Sequence, residues 1–432
     1  MNLFRNPIQL SMLVLCLLAC NKQKPDRQYS FNLQESEKYL NQVYHAHPLP
    51  GMVVILVSAD LSQTLTYGFA SLSDSVAFTS RSLFFTGGMS ELIVADAMLQ
   101  MTNQGTLMMT DRVVDRLPYF KTEGAYEDVN IHHLLSHTSG IPHFSPAWDM
   151  PSFDVEALSA TTRSIIYQPL EFEPGTRVKR SAYNTDIAAD LIQHVTDLPF
   201  EMAIRDRYLI PRGLHHSSFD FTFIEQSSLV KPHQVGHWLT YEQQEREVYP
   251  YTRENVGSYG FHSTADDLSQ WIRLMLNTSQ NKLFETLYKT SDSTYRGYGW
   301  DILNTKNGLV YNNSWGIGGF SGDLSLIPEK KLGVFVLTNT MEDFNPSLLS
   351  RQLLDFMHGE VLPDVRPPVH VAMSRMIASG RCMEEVLTWC NAQIDDTESL
   401  YEINPTLIGQ VGVNLLHRLQ MPEEALLVFE FA

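Results

Sequence analysis

The sequence predicts an α/β domain whose sheet is assembled from distant parts of the chain, followed by a small all-helical tail. Three observations predict it. Strand-like runs lie near residues 51–68 and 308–337, while the stretch between about 110 and 277 is mainly helical in period. Pro363 and the pair Pro367-Pro368 then interrupt the chain. Everything beyond them reads as helix.

Residues 32–45 form an amphipathic helix, with Leu33, Leu40, Val43 and Tyr44 on or near one face. Residues 51–57 and 64–68 are strands joined by 59–63. Helical period returns at 90–104 and stops at Gly105, a C-cap residue. A second well-patterned helix covers 186–196, and strands are expected at 308–311, 323–327 and 333–337. In the tail, 369–378 and 381–391 make one helical pair, and 404–419 and 423–431 another.

The chain has 432 residues, of which 44% are hydrophobic and 19% charged, values that suit a globular protein and exclude a disordered one. The net charge of −18 argues against nucleic acid and against an anionic membrane surface as electrostatic partners. The start is a leader: Arg5 precedes an apolar run at 8–18, too short to cross a bilayer. The run ends in Leu17-Leu18-Ala19-Cys20, which resembles a bacterial lipobox with Cys20 as the lipid attachment site. The expected organisation is a lipoprotein signal peptide at 1–20, a tether at 21–30, the α/β domain at 31–360, a linker at 361–368 and the helical tail at 369–432. Outside the leader only Cys382 and Cys390 remain. On one helix they would lie about 12 Å apart, beyond disulfide reach, so free and mostly buried thiols are expected.

Residues 134–140 read Leu-Leu-Ser-His-Thr-Ser-Gly, and 84–91 read Phe-Phe-Thr-Gly-Gly-Met-Ser-Glu. With Pro174-Gly175-Thr176-Arg177, the string Ser263-Thr264-Ala265-Asp266-Asp267-Leu268, Gly297-Tyr298-Gly299-Trp300 and the run 332–339, they stand in the order found in the serine β-lactamase and penicillin-binding-protein family. The chain resembles the class C and esterase branch of that family over about residues 30–360. The resemblance implies an antiparallel sheet flanked by helices, beside a helical subdomain. It likewise relates the tail to tetratricopeptide-like repeats, expected to dock on the main domain or to fray.

The resemblance also locates three catalytic motifs, and none is intact. In F-x-x-G-S-x-x-K, Phe84 and Gly87 match, but the nucleophile position holds Gly88 and the lysine position Glu91. The tyrosine and asparagine positions of Y-x-N fall on Arg180 and Ala182. The third motif, K-T-G or H-x-G, falls on Asn313-Ser314-Trp315. A nucleophilic serine needs a nearby base, and here neither remains. Backbone N–H groups at Gly88 and Gly316 are candidates for a residual oxyanion hole. Ser90 and Tyr183 are candidates for a rearranged site, although Ser90, two residues past Gly88, should point away from the cleft. Glu91 and Arg180 are expected to pair, because a lone buried charge is costly. Trp315 is expected to face the cleft, fill substrate volume and find an acceptor for its ring N–H. His133 and His137 have zinc-like spacing but lack a glutamate between them and belong to the structural 134–140 segment.

The expected function is therefore that of a β-lactamase-related lipoprotein that is catalytically inactive and acts by binding a peptide, a cell-wall fragment or another protein. It would be exported and anchored in the bacterial cell envelope, on the periplasmic or surface side, with no cofactor, metal or nucleic acid. Two alternatives stay open. One is a serine-type hydrolase (β-lactamase, D-Ala-D-Ala peptidase or esterase) with a rearranged site. The other is an interaction module that works through its helical tail.

Overall fold

The computed structural model describes residues 32–432 except 121–124, 145–149, 279–280, 342–343 and 397–398. The expected signal peptide, Cys20 and the tether lie outside the described residues. The strands are β1 (Gly51–Val57), β2 (Ser62–Ser71), β3 (Val76–Ala77), β4 (Phe84–Phe85), β5 (His233–His237), β6 (Glu242–Glu245), β7 (His262–Ser263), β8 (Tyr288–Lys289), β9 (Thr294–Arg296), β10 (Asp301–Thr305), β11 (Gly308–Ile317), β12 (Phe320–Ile327) and β13 (Leu332–Thr338). Nine of them form one antiparallel sheet in the order β3-β2-β1-β13-β12-β11-β10-β9-β8. The first strands of the chain thus pair with the last, β1 on β13 from Met52↔Thr338 to Val57↔Gly333. Two small ladders, β4–β7 and β5–β6, stand apart from it.

The helices of the main domain are α1 (Leu33–Ala46), α2 (Ser90–Asn103), α3 (Val113–Arg116), α4 (Ile131–Leu135), α5 (Ala157–Ile165), α6 (Ala182–Thr196), α7 (Phe200–Ile204), α8 (Val256–Tyr259), α9 (Ala265–Asn277) and α10 (Pro346–Met357). Both sheet faces are covered. Met52, Val54, Leu56, Val334 and Val336 pack with Leu40 and Val43 of α1 and Leu349 and Leu353 of α10. The alternate residues Val53, Ile55, Phe335 and Leu337 join the larger core, with Leu92 of α2 and Trp271 of α9. A strand buried on both faces reads as a continuous apolar run, which is why Gly51–Val57 is unbroken in sequence and buried throughout.

The tail consists of α11 (Val369–Ala378), α12 (Met383–Asp395), α13 (Pro405–His417) and α14 (Pro422–Phe431), with its own core around Met373, Val386, Val411 and Val428. It docks on the tip of the β5–β6 hairpin. Arg418 lies 3.9 Å over the Trp238 ring, Arg375 Nε donates to the Thr240 carbonyl at 3.4 Å, and Val371 packs with Val235 and Tyr241. Both thiols are free, but the expectation that they are mostly buried holds only for Cys390. Cys382 is exposed because it is the residue preceding the first turn of α12 rather than a member of its inner face.

Candidate active site

The region aligned with the first motif is a tight turn followed by a helix. Gly87–Met89 form one 3-10 turn and α2 begins at Ser90. Gly87 has φ +52°, and a Cβ there would collide with the Trp315 indole. Glycine is therefore required at 87 by both backbone and neighbour.

Glu91 sits in the first turn of α2 with its side chain only 2% exposed. Its Oε1 lies 2.7 Å from Arg180 Nη2 as an ion pair, and its Oε2 accepts from Arg180 Nε at 3.4 Å. The predicted pair is thus formed, joining α2 to the residues just before α6. A second partner was not foreseen: His137 Nε2 lies 3.4 Å from Glu91 Oε2. His137 Nδ1 accepts from the Ser181 backbone N–H at 3.3 Å and faces Asn184 Nδ2 at 3.1 Å. An accepting Nδ1 places the ring proton on Nε2, so a neutral His137 donates to Glu91. Burial pushes the His137 pKa down, which favours that neutral form. Burial alone would raise the Glu91 pKa, but the charge of Arg180 and the contact with His137 outweigh it and hold the carboxyl at about 2. Tyr259 of α8 completes the cluster, with the Arg180 guanidinium 6.0 Å from its ring centre.

Trp315 of β11 faces this cluster, as its strand register predicts. Its ring meets Phe85 edge-on at 6.2 Å and lies over Gly87 and Gly322, where any side chain would strike it. A Cβ at Gly88 would be 3.1 Å from Arg180 Nη2 and 3.2 Å from Trp315 Cβ. The nucleophile position is therefore crowded from both sides. One expectation fails: Trp315 Nε1 has no acceptor among the described residues. The ring is oriented by the two glycines beneath it rather than by a hydrogen bond. Asn313, two residues earlier on the same face, donates to the Gly299 carbonyl at 3.0 Å. Gly316 is exposed on the outer part of β11.

Of the two candidates for a rearranged site, Ser90 has its hydroxyl engaged away from the cluster. Ser90 is fully buried; its Oγ donates to Gly87 O at 2.8 Å and accepts from Phe261 N at 3.0 Å. Both capacities of the hydroxyl are spent on structure, because two residues of helix turn it away from Gly88. Tyr183 is half-buried, stacks on Phe144 with ring centres 5.4 Å apart and packs against the main core. Ala182 is fully buried and its backbone N–H donates to His143 Nδ1 at 3.2 Å. A second buried carboxyl lies nearby on α6. Asp186 accepts from Asn255 Nδ2 at 2.9 Å and from Ser258 N and Oγ at 2.9 and 3.0 Å. Burial pushes its pKa up to about 7 despite these donors.

The model of the family described as Beta-lactamase matches residues 37–355. The chain belongs to the β-lactamase family. Among curated relatives it is 24% identical over 329 residues to the protein named "Protein flp" of Staphylococcus aureus (strain N315), covering 73% of this chain and 65% of that protein. The chain thus spans a little under two thirds of that relative's length. It is 21% identical to the Escherichia coli (strain K12) protein named D-alanyl-D-alanine-carboxypeptidase/endopeptidase AmpH, over 75% of this chain and 89% of that one. Its fold is similar to that of a β-lactamase/D-alanine carboxypeptidase from Yersinia pestis crystallised with citrate, with TM-score 0.63 and 18% identity over 75% of this chain and 98% of that one. It is equally similar to an octameric penicillin-binding protein homologue from Pyrococcus abyssi, with TM-score 0.62, 18% identity and coverage of 80% and 81%. The β-lactamase-like serine hydrolase fold read from the sequence is the fold of this chain.

Proposed function

We propose that this chain is a non-acylating member of the β-lactamase family that acts by binding peptides at the former catalytic cleft. The observation that carries this is the ion pair at Glu91. A serine nucleophile needs a base one helical turn away, and the residue there is a carboxylate held at about 2 and engaged by Arg180 and His137. Gly88 offers no nucleophile, and Trp315 narrows the space beside it. Loss of a nucleophile in another hydrolase lowers turnover about a million-fold, so any residual oxyanion hole at Gly88 and Gly316 would leave only traces. The carboxypeptidase name of one curated relative supports peptides as the ligand class. We further propose that the protein is an exported lipoprotein, held at the cell envelope by acyl chains on Cys20.

Incubation with a fluorescent penicillin, followed by mass spectrometry of the intact protein, tests the first proposal. No mass increment is expected; an acyl adduct on any residue would overturn it. For the anchor, Cys20→Ser should release the protein from the membrane fraction and leave the precursor unprocessed. Unchanged fractionation would refute it.

A further inference from the structure

The tail and the main domain together line a cavity of about 540 Å³. It lies between α1, α10, the linker residues 364–368 and the start of α13. Small-molecule sites form at this size and at domain junctions of this kind. The walls are fixed to one another. Tyr39 Oη of α1 donates to Gln352 Oε1 of α10 at 3.0 Å. Glu402 N donates to Pro367 O at 2.9 Å and Val369 N to Glu402 O at 3.0 Å, which ties the linker to the tail. Phe344 meets the His47 ring edge-on at 5.2 Å.

The polar lining offers both donors and acceptors. Three side-chain amides have their oxygens engaged: Asn345 Oδ1 accepts from Leu348 N at 3.1 Å, Asn404 Oδ1 from Leu407 N at 3.3 Å, and Gln352 Oε1 from Tyr39. Among the described residues nothing accepts from their NH2 groups, which are left as donors. Asp364 and Glu402 add two exposed carboxylates, and Arg366 one exposed guanidinium. These charges nearly cancel, because the N-termini of α10 and α13, capped by Asn345 and Asn404, each bring about half a positive charge to the wall. The lining therefore favours neither cations nor anions. It suits a neutral ligand whose groups each donate and accept, as hydroxyls do. Tyr39, Phe344 and Leu348 give the C–H faces of such a ligand apolar cover. A peptide spreads one donor and one acceptor per residue along its backbone, whereas here they converge on one compact space.

We propose that this cavity binds a neutral oligosaccharide. Its oxygens accept from the amides of Asn345, Gln352 and Asn404, and its hydroxyls donate to Asp364 and Glu402. None of the lining residues belongs to the cleft, so the site is independent of whether the cleft acylates.

The probes are cellotriose and N-acetylchitotriose, both neutral, titrated by calorimetry into the full chain up to about 10 mM. Trigalacturonate, the glucosamine trimer and acetyl-trialanine-amide are the anionic, cationic and peptide comparisons. Saturable binding of at least one neutral sugar is expected, about tenfold or more tighter than any comparison. Asp364→Asn with Glu402→Gln should weaken it by about tenfold, because bonds to a charged acceptor are the stronger ones. Leu348→Trp adds bulk to the lining and should abolish it. Glu423→Gln with Glu424→Gln, outside the cavity, should leave it unchanged. Hydrogen exchange should slow on binding at 344–352 and 402–407. No saturable binding of either neutral sugar, a charged trimer or the peptide binding as tightly, or full binding by the Asp364/Glu402 variant would overturn the proposal. So would protection confined to the residues around Arg180 and Trp315, which would place the sugar in the cleft. The substituted positions are exposed, so both variants test the cavity in a folded chain.

Discussion

Glu91 and Asp186 are buried carboxyl groups on two helices that pack together, and the chain accommodates them in opposite ways. Glu91 is met by a guanidinium and an imidazole N–H and stays ionised to about pH 2. Asp186 is met only by an amide, a hydroxyl and a backbone N–H, and burial raises it to about 7. Neutral donors can satisfy the lone pairs of a carboxyl without cancelling its charge. The difference shows how the carboxylate at the position aligned with the family's lysine is held: its charge is compensated from two other parts of the chain. Glu91 itself also contributes to the raised pKa of Asp186, so the two sites are coupled.

Removing the compensation should have the largest effect. Arg180→Ala leaves Glu91 buried with only His137. Breaking a buried pair costs about 3–5 kcal/mol, and the exposed part of Arg180 puts this case near about 3 kcal/mol. Urea unfolding at neutral pH measures it. Replacing both Glu91 and Arg180 by methionine should recover most of the loss, because no uncompensated charge then remains. A single variant that loses less than about 1 kcal/mol, the worth of a surface pair, would break the comparison.

The two carboxyls should next separate by pH. The folded pKa of Asp186, about 7, lies above the unfolded value of about 3.9. Its contribution is therefore complete below about pH 4 and is lost as pH rises toward 7, at a slope approaching about 1.4 kcal/mol per unit. Glu91 is the reverse. Its folded pKa of about 2 lies below the unfolded value of about 4.3, so its contribution is complete above that value and lost as pH falls toward 2. Asp186→Asn should flatten the stability curve between about pH 4 and 7, and Glu91→Gln should remove part of the acid limb. If Asp186→Asn unfolds with the wild-type slope across that window, Asp186 is not the group that titrates there.

A smaller effect is expected where the tail meets the main domain. Trp238→Ala removes the ring under Arg418 and should cost about 1 kcal/mol. Hydrogen exchange in residues 369–432 should rise while exchange in β1 and β13 stays unchanged. Equal loosening of both regions would mean that the tail is part of one cooperative unit with the sheet.

What could be read from the sequence follows from how each element is stabilised. β1 was legible over its full length because both its faces are buried and apolar. β9 and β10 were missed: they are short, polar runs held mainly by their ladder partners, as in Asp301↔Asn312. β11 was legible only up to Tyr311, because its continuation buries polar groups; Asn312 donates to Ser325 Oγ at 2.9 Å and binds Asp323. In the site, Glu91 and Arg180 could be paired from the motif positions alone. His137 could not, since its reach to Glu91 depends on a left-handed backbone, φ +55°, in the turn after α4. Tyr259 lies on a four-residue helix with no periodic signal.

Trp315 gives the sharpest remaining test of the cleft. Restoring the family residues with Gly88→Ser and Glu91→Lys would place a hydroxymethyl group between Arg180 Nη2 and Trp315 Cβ, each already close to 3 Å from a Cβ at 88. It would also set a lysine against Arg180, and two cations in a buried site repel. The double variant should therefore remain unacylated by penicillin. Adding Trp315→Gly opens one side, and Arg180→Tyr removes the second cation and restores the residue expected at that position. Only with these should a trace of acyl-enzyme appear by mass spectrometry. The yield should be small, because Ala182 and Asn313 still differ from the family pattern. Acylation of the double variant alone would show that Trp315 moves aside readily and that Arg180, Ala182 and Asn313 do not prevent acylation.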